Sequence, residues 1–180
     1  MTGPVWHRRR VYRLTWEGLA RSLAALAGDI DAAGAGYDTI VGIARGGLPV
    51  ATYLSHTLAI TDVRCAAIRR SRTDERFTDR GAPTLDWVAP DTGMDGRRVL
   101  VVDDIAGDGG TLLVAIEEMT ARGAAAVGTA VLVRNDGSVL EPTHFVHTAD
   151  DWTWFPWERP PARSSLPIVD LTPAAGLQRM

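Results

Sequence analysis

Residues 99–112, VLVVDDIAGDGGTL, constrain the fold of this chain more than any other stretch. An apolar run reads as a buried strand, Asp103 and Asp104 follow at its end, and a glycine-rich turn opens an apolar-periodic helix. Such a unit belongs to an alternating α/β chain with a parallel sheet, in which ligands gather beyond the carboxyl ends of the strands. Where the backbone leaves the sheet, two adjacent carboxylates can both reach a ligand; they bind vicinal hydroxyls or a divalent cation, because an ionised carboxylate only accepts. Gly107, Gly109 and Gly110 let backbone amides converge, and Thr111 adds a hydroxyl at a helix N-terminus, an arrangement that attracts phosphate. The plainer reading of these residues is a capped, solvated turn.

The flanking sequence continues the alternation. Leu19, Leu23, Leu26 and Ile30 recur at helical spacing after Thr15, which can cap the first turn. TIVGIA followed by RGGLPVATYLSHTLAI reads as strand, turn and helix, and VRCAAI as a second strand. RRVLVV, GGTLLVAIEEMTARG and AAVGTAVLVR supply a further strand, helix and strand. Between them, residues 69–96 mix charge, Pro and Gly as a long loop or loose hairpin, and loops of that length are usually functional. Residues 150–157, DDWTWFPW, concentrate tryptophan, and the prolines of residues 159–180 predict an irregular tail. With no repeat and no composition break, residues 1–180 read as a single domain.

At 46% hydrophobic and 23% charged, the 180 residues suffice for one core. A formal net charge of -3 argues against wholesale binding to nucleic acid or a membrane surface and favours small-molecule partners. The single cysteine, Cys65, excludes an internal disulfide and reads as a small buried filler. MTGPVWHRRRVYRLTW lacks the apolar core of a signal peptide and no apolar run spans a bilayer, which predicts a cytoplasmic protein.

Residues 99–112 resemble the phosphoribosyl diphosphate (PRPP) signature of the type I phosphoribosyltransferases. VGIARGGLPVA, residues 41–51, is similar to that family's pyrophosphate loop, and DDWTWFPW to the base-binding hood of its xanthine-guanine branch. The resemblance implies a parallel sheet flanked by helices with a small C-terminal hood, residues 139–158. It implies that Asp103 and Asp104 hold the ribose 2′- and 3′-hydroxyls directly or through Mg²⁺, and that Ala106, Gly107, Asp108, Gly109, Gly110 and Thr111 surround the 5′-phosphate. It further implies that Arg45, with the amides of Gly46 and Gly47, contacts pyrophosphate beside a strained Ala44–Arg45 peptide. Trp152 would stack on a purine, backbone around Thr153 would read its edge, and Arg134 would donate to its exocyclic oxygen. The arginine-rich residues 69–86 would form a closing lid. The implied reaction transfers phosphoribose from PRPP to a purine-type base, in a homodimer or tetramer.

Two positions depart from the family pattern. Purine-specific relatives carry Asp where this chain has Gly107, and losing such a group removes acid–base help typically worth about 10²- to 10⁴-fold. They carry Thr or Ser where this chain has Asp108, and a carboxylate about 4 Å from a phosphate at an effective dielectric near 20 is repelled by about 4 kcal/mol. Asp108 turns outward or binds a cation, or the loop shifts so that it replaces the missing base, or the ligand lacks a 5′-phosphate. The rival functions are a catalytically weakened PRPP- or nucleotide-binding regulator, and a transferase or hydrolase for a ribosyl substrate without that phosphate.

Other features carry no chemistry at this level. His144 and His147 lie in a strand-like THFVH, where their side chains are expected to point opposite ways. Arg8, Arg9 and Arg10 read as a solvated terminus, NDG at residues 135–137 as a turn, and the tryptophans other than Trp152 as core, hood packing or interface.

Overall fold

The computed structural model describes residues 7–69, 81–159 and 165–173. Its elements in chain order are β1 (Val11–Arg13), α1 (Trp16–Ala33), β2 (Thr39–Ala44), α2 (Gly47–Thr57), β3 (Asp62–Arg69) and β4 (Thr84–Ala89). They continue as β5 (Arg98–Ala106), α3 (Gly110–Ala121), β6 (Ala126–Asn135), β7 (His144–Ala149), β8 (Trp152–Trp154) and β9 (Ile168–Asp170).

The main sheet has six strands in the order β4-β3-β2-β5-β6-β7. Its pairings are parallel except for antiparallel β3–β4. The apolar runs of β2, β5 and β6 suit burial on both faces: Ile40, Leu100 and Leu132 enter one cluster, and Val41, Val101 and Val131 the other. Thr15 Oγ1 accepts from the Gly18 amide at 3.0 Å and starts α1, whose Leu19, Leu23, Leu26 and Ile30 join the first cluster.

Strand order fixes where a site can form. From β2 the chain turns outward to β3 on one side, and β5 then takes the other side. The helix after β2 packs Val50, Ala51 and Leu54 into the first cluster, whereas the helix after β5 packs Leu112, Ala115 and Met119 into the second. The two connecting loops therefore diverge to opposite faces and leave a crevice beyond the carboxyl ends of β2 and β5.

A second sheet, β8-β1-β9, joins the aromatic run to the N-terminal segment. Buried Asp151 ties the join, accepting from the amides of Arg9 at 2.6 Å, Arg10 at 3.1 Å and Trp152 at 2.9 Å. These backbone donors hold its carboxyl below the usual range against the opposing effect of burial. Arg9 and Arg10 are thus anchored through their backbone, not simply a solvated terminus.

Several expectations change. The tail is not irregular throughout, because β9 pairs with β1, and β7 belongs to the main sheet and not to the hood. Residues 84–89 pair with β3, with Arg69 bound to Asp86 at 2.7 Å, so part of the loop is a hairpin; Arg70, Arg72, Arg76 and Arg80 of the expected lid lie outside the described residues. His144 and His147 both reach α1: His144 Nδ1 lies 2.7 Å from Asp29 Oδ2, and His147 Nε2 lies 2.8 Å from Ser22 Oγ. Strict alternation fails here, since neighbouring Val146 and His147 are both buried. Cys65 is partly exposed, and Trp16 and Trp87, 65% and 48% exposed, are not core. No helix among the described residues is long and apolar enough to cross a membrane.

Candidate active site

The loops after β2 and β5 touch. A β-carbon on Gly46 would overlap the Asp104 carboxylate, and one on Gly47 would overlap the Val102 carbonyl oxygen and stand 2.9 Å from Asp103 Cα. Only glycine lets the turn that begins at Arg45 lie directly on the acid pair. The Ala44–Arg45 peptide that precedes this turn is cis.

Asp103 is 9% exposed, and its Oδ1 accepts from the Asp104 amide at 2.9 Å. The Asp104 carboxyl is pushed up to about 6, first by burial and then by the negative charge of Glu158, while its hydrogen bond with Asp103 and the Ile105 amide act against the shift. Burial and a neighbouring negative charge disfavour the ionised form of this carboxyl, and a hard cation or a pair of hydroxyl donors would stabilise it. The described residues contain no group of three or more His, Cys, Asp or Glu placed to hold a metal. The acid pair nevertheless suits Mg²⁺, which is usually held by one or two carboxylates together with substrate phosphates and water.

The glycine turn after β5 is buttressed from the side. Gly109 has φ 86°, and a β-carbon there would stand 2.7 Å from Ser138 Oγ and 2.9 Å from the Leu140 amide. The Val139 amide donates to the Asp108 carbonyl at 3.0 Å. Asp108 is partly buried, and its Oδ1 accepts from the Gly110 amide at 2.9 Å, at the first turn of α3.

The hood approaches the same crevice. Trp152 is half-buried on β8, and buried Thr153 has no hydrogen-bond partner for its Oγ1 among the described residues. Phe155 and Trp157 stack with ring centroids 5.2 Å apart, and Glu158 Oε2 accepts from the Phe155 amide at 3.1 Å. Glu158 is the charge that Asp104 feels, so the end of the aromatic run lies beside the acid pair.

Residues 14–162 match the phosphoribosyl transferase domain. The chain belongs to the phosphoribosyltransferase family of enzymes. A xanthine-guanine phosphoribosyltransferase of Idiomarina loihiensis is 30% identical over 154 residues, 85% of this chain and 90% of that protein. An orotate phosphoribosyltransferase of Sulfolobus acidocaldarius is 28% identical over 108 residues, 60% of this chain and 49% of that protein, so the chain spans about half of that relative. Among solved structures, the purine phosphoribosyltransferase from Pyrococcus horikoshii superposes with a TM-score of 0.73 at 29% identity, covering 86% of this chain and 99% of the other. The family fold and its purine-branch resemblance agree with the mostly parallel sheet and flanking helices described above.

The crevice gathers Arg45, Gly46, Gly47, Asp103 and Asp104, with Ala106 through Thr111 continuing from β5. Arg134 stands at the end of β6 beside two acids and an aromatic ring. Its Nε lies 2.6 Å from Glu141 Oε2, its Nη1 lies 3.6 Å from Asp136 Oδ1, and its guanidinium stands 5.9 Å from the Phe145 ring centroid. It is an ion-paired cation at the end of β6. Sequence reasoning placed a turn at residues 135–137 but missed that Ser138 beside it packs on the turn at Gly109, and it missed Glu158, because both act through contacts remote in sequence; the acid directly before the aromatic run was the one available signal for Asp151.

Proposed function

We propose that this chain transfers phosphoribose from PRPP to a purine-type base with release of pyrophosphate. The observation that carries the reading is the stacking of the glycine turn at Gly46 and Gly47 on Asp103 and Asp104. It unites a candidate diphosphate loop with a candidate ribose site at the crevice between β2 and β5. The purine preference draws on the resemblance of the hood and on the Idiomarina relative, 30% identical.

In this reading Arg45, with the amides of Gly46 and Gly47, grips the pyrophosphate, and its planar guanidinium suits phosphate oxygens. Asp103 and Asp104 hold the ribose 2′- and 3′-hydroxyls. Mg²⁺ bound by these carboxylates would neutralise charge on the diphosphate. Backbone amides from Gly107 to Thr111 receive the 5′-phosphate at the start of α3. Trp152 stacks on the base and the Thr153 backbone reads its edge. A ring nitrogen of the base then attacks C1′, the C1′–oxygen bond breaks, and the electron pair leaves on pyrophosphate. Gly107 offers no side chain to take the proton from the base, so that proton passes to water. The protein contributes alignment, preset charge and exclusion of water more than covalent chemistry. The same reading carries a cytoplasmic homodimer or tetramer.

Pyrophosphate release from PRPP and Mg²⁺ is to be measured with guanine, hypoxanthine, xanthine, adenine and orotate in parallel. Turnover with a 6-oxopurine and none with orotate is the expected result. Turnover with orotate alone would transfer the assignment to a pyrimidine, and inactivity with every base would overturn it.

A further inference from the structure

We infer that the N-terminal segment is built into the base site, with Asp151 and Tyr12 as positioning residues that set β8 over a sugar held by Asp103 and Asp104. The inference rests on the phosphoribosyl-transfer reading and deepens it.

The aromatic run that starts with β8 ends at Glu158, whose charge acts on Asp104. A ring carried on C1′ of a ribose at the acid pair therefore meets this run. Yet β8 is three residues long, and among the described residues it pairs with β1 alone, in the register Val11 to Trp152, Tyr12 to Thr153 and Arg13 to Trp154. So short a ribbon does not fix its own position.

The corner where β7 becomes β8 is held from the N-terminal side at both of its acids. Asp151, fully buried, accepts through Oδ2 from the amides of Arg9 at 2.6 Å and Arg10 at 3.1 Å, and through Oδ1 from the Trp152 amide at 2.9 Å. Asp150 Oδ1 accepts from the Tyr12 hydroxyl at 2.8 Å. At the far end of β8, the Leu14 amide donates to the Trp154 carbonyl at 2.9 Å.

An apolar side chain would serve for packing alone, since a buried carboxylate is costly unless donors surround it. What the carboxylate adds is direction. It ties the backbone amide of Trp152 to that of Arg9 and Arg10 through charge-assisted bonds, and so fixes the indole plane against which a base would stack. The N-terminal segment thereby acts on base binding without touching the diphosphate loop at Arg45, Gly46 and Gly47 or the acid pair.

Steady-state kinetics on the full chain with Mg²⁺ compare wild type, Asp151→Asn, Tyr12→Phe and Arg13→Ala, varying PRPP and then whichever of guanine, hypoxanthine, xanthine, adenine and orotate turns over fastest. Asp151→Asn is expected to raise KM for the base by about 10-fold or more, and Tyr12→Phe by about 3- to 10-fold, while KM for PRPP and kcat at saturating base stay within about twofold. Arg13→Ala breaks the exposed pair with Asp170, on the side of β1 away from β8, and is expected to leave both constants unchanged. That split separates positioning from a general loss of stability, which thermal unfolding of each variant measures. Should Asp151→Asn not fold, Tyr12→Phe decides alone, because it removes one hydroxyl and keeps the ring. A base KM within about twofold of wild type in every folded variant, or PRPP and base constants rising together, would overturn the inference and leave the transfer reading standing. Inactivity of wild type with every base would overturn the transfer reading, and the inference with it.

Discussion

Asp104 and Gly46, far apart in sequence, lie so close that a β-carbon on the glycine would overlap the carboxylate. The contact joins the loop after β2 to the loop after β5, and its geometry makes the glycine testable. Gly46→Ala must push Asp104 aside or lift the turn at Arg45. A misplacement on the scale of 1 Å costs about 100-fold in kcat/KM for PRPP, and the overpacking costs about 1–3 kcal/mol of stability. Steady-state kinetics and thermal unfolding on the same preparation check both, and wild-type kinetics in this variant would remove the contact from the site's function.

Asp104 also sets a pH dependence. Its carboxyl is raised to about 6 in the folded state from an ordinary value of 3.8, so the native state holds the extra proton between those values. The contribution to stability is full below about 3.8 and is lost as pH rises through about 6. Asp104→Asn removes the penalty: it is expected to be more stable than wild type by about 1–3 kcal/mol at pH 8 and equal to it near pH 4. Urea unfolding at the two pH values decides. Glu158→Gln is expected to have a smaller effect in the same direction, because Glu158 is the second cause of the shift.

His147 works in the opposite sense. Burial beside Ser22 lowers it to about 4 from 6.5, so the unfolded chain takes up a proton first as pH falls. Its contribution is present above about 6.5 and is lost as pH falls through about 4, amounting to about 2–3 kcal/mol. His147→Gln retains a polar partner for Ser22 and is expected to flatten the stability profile between those values. An unchanged profile would show that the buried imidazole does not govern acid stability.

Asp151 anchors the hood. Replacing it with Ala leaves the amides of Arg9, Arg10 and Trp152 without their shared acceptor, at a cost of about 2–4 kcal/mol. Hydrogen exchange should accelerate in β1 and β8 while β2 and β5 stay protected. Uniform acceleration would mean that the small sheet does not open separately.

The core helices and strands were legible because their signals are local. Leu19, Leu23, Leu26 and Ile30 repeat at helical spacing, Thr15 caps them, and the apolar runs of β2, β5 and β6 match strands buried on both faces. Ile168–Asp170 was not legible, since three residues of a proline-containing tail become a strand only by pairing with Val11–Arg13. The histidines of β7 were misplaced because alternation assumes a regular strand, and Val146 and His147 break it. The ion pair of Arg134 was not legible, because Glu141, seven residues further on, gives no periodic signal of it.

By itself the sequence determined the alternation of strand and helix, the acid pair at the end of one strand and the glycine turns that begin two helices. These follow from side-chain period, backbone freedom at glycine and the lack of donors on a carboxylate, all properties of short segments. The tertiary structure alone decided that β2 and β5 are neighbours with their helices on opposite faces, which lays Gly46 on Asp104 and opens the crevice. It alone brought Glu158 to Asp104 and set Ser138 against the turn at Gly109, because burial and charge at close range depend on which segments the fold makes adjacent.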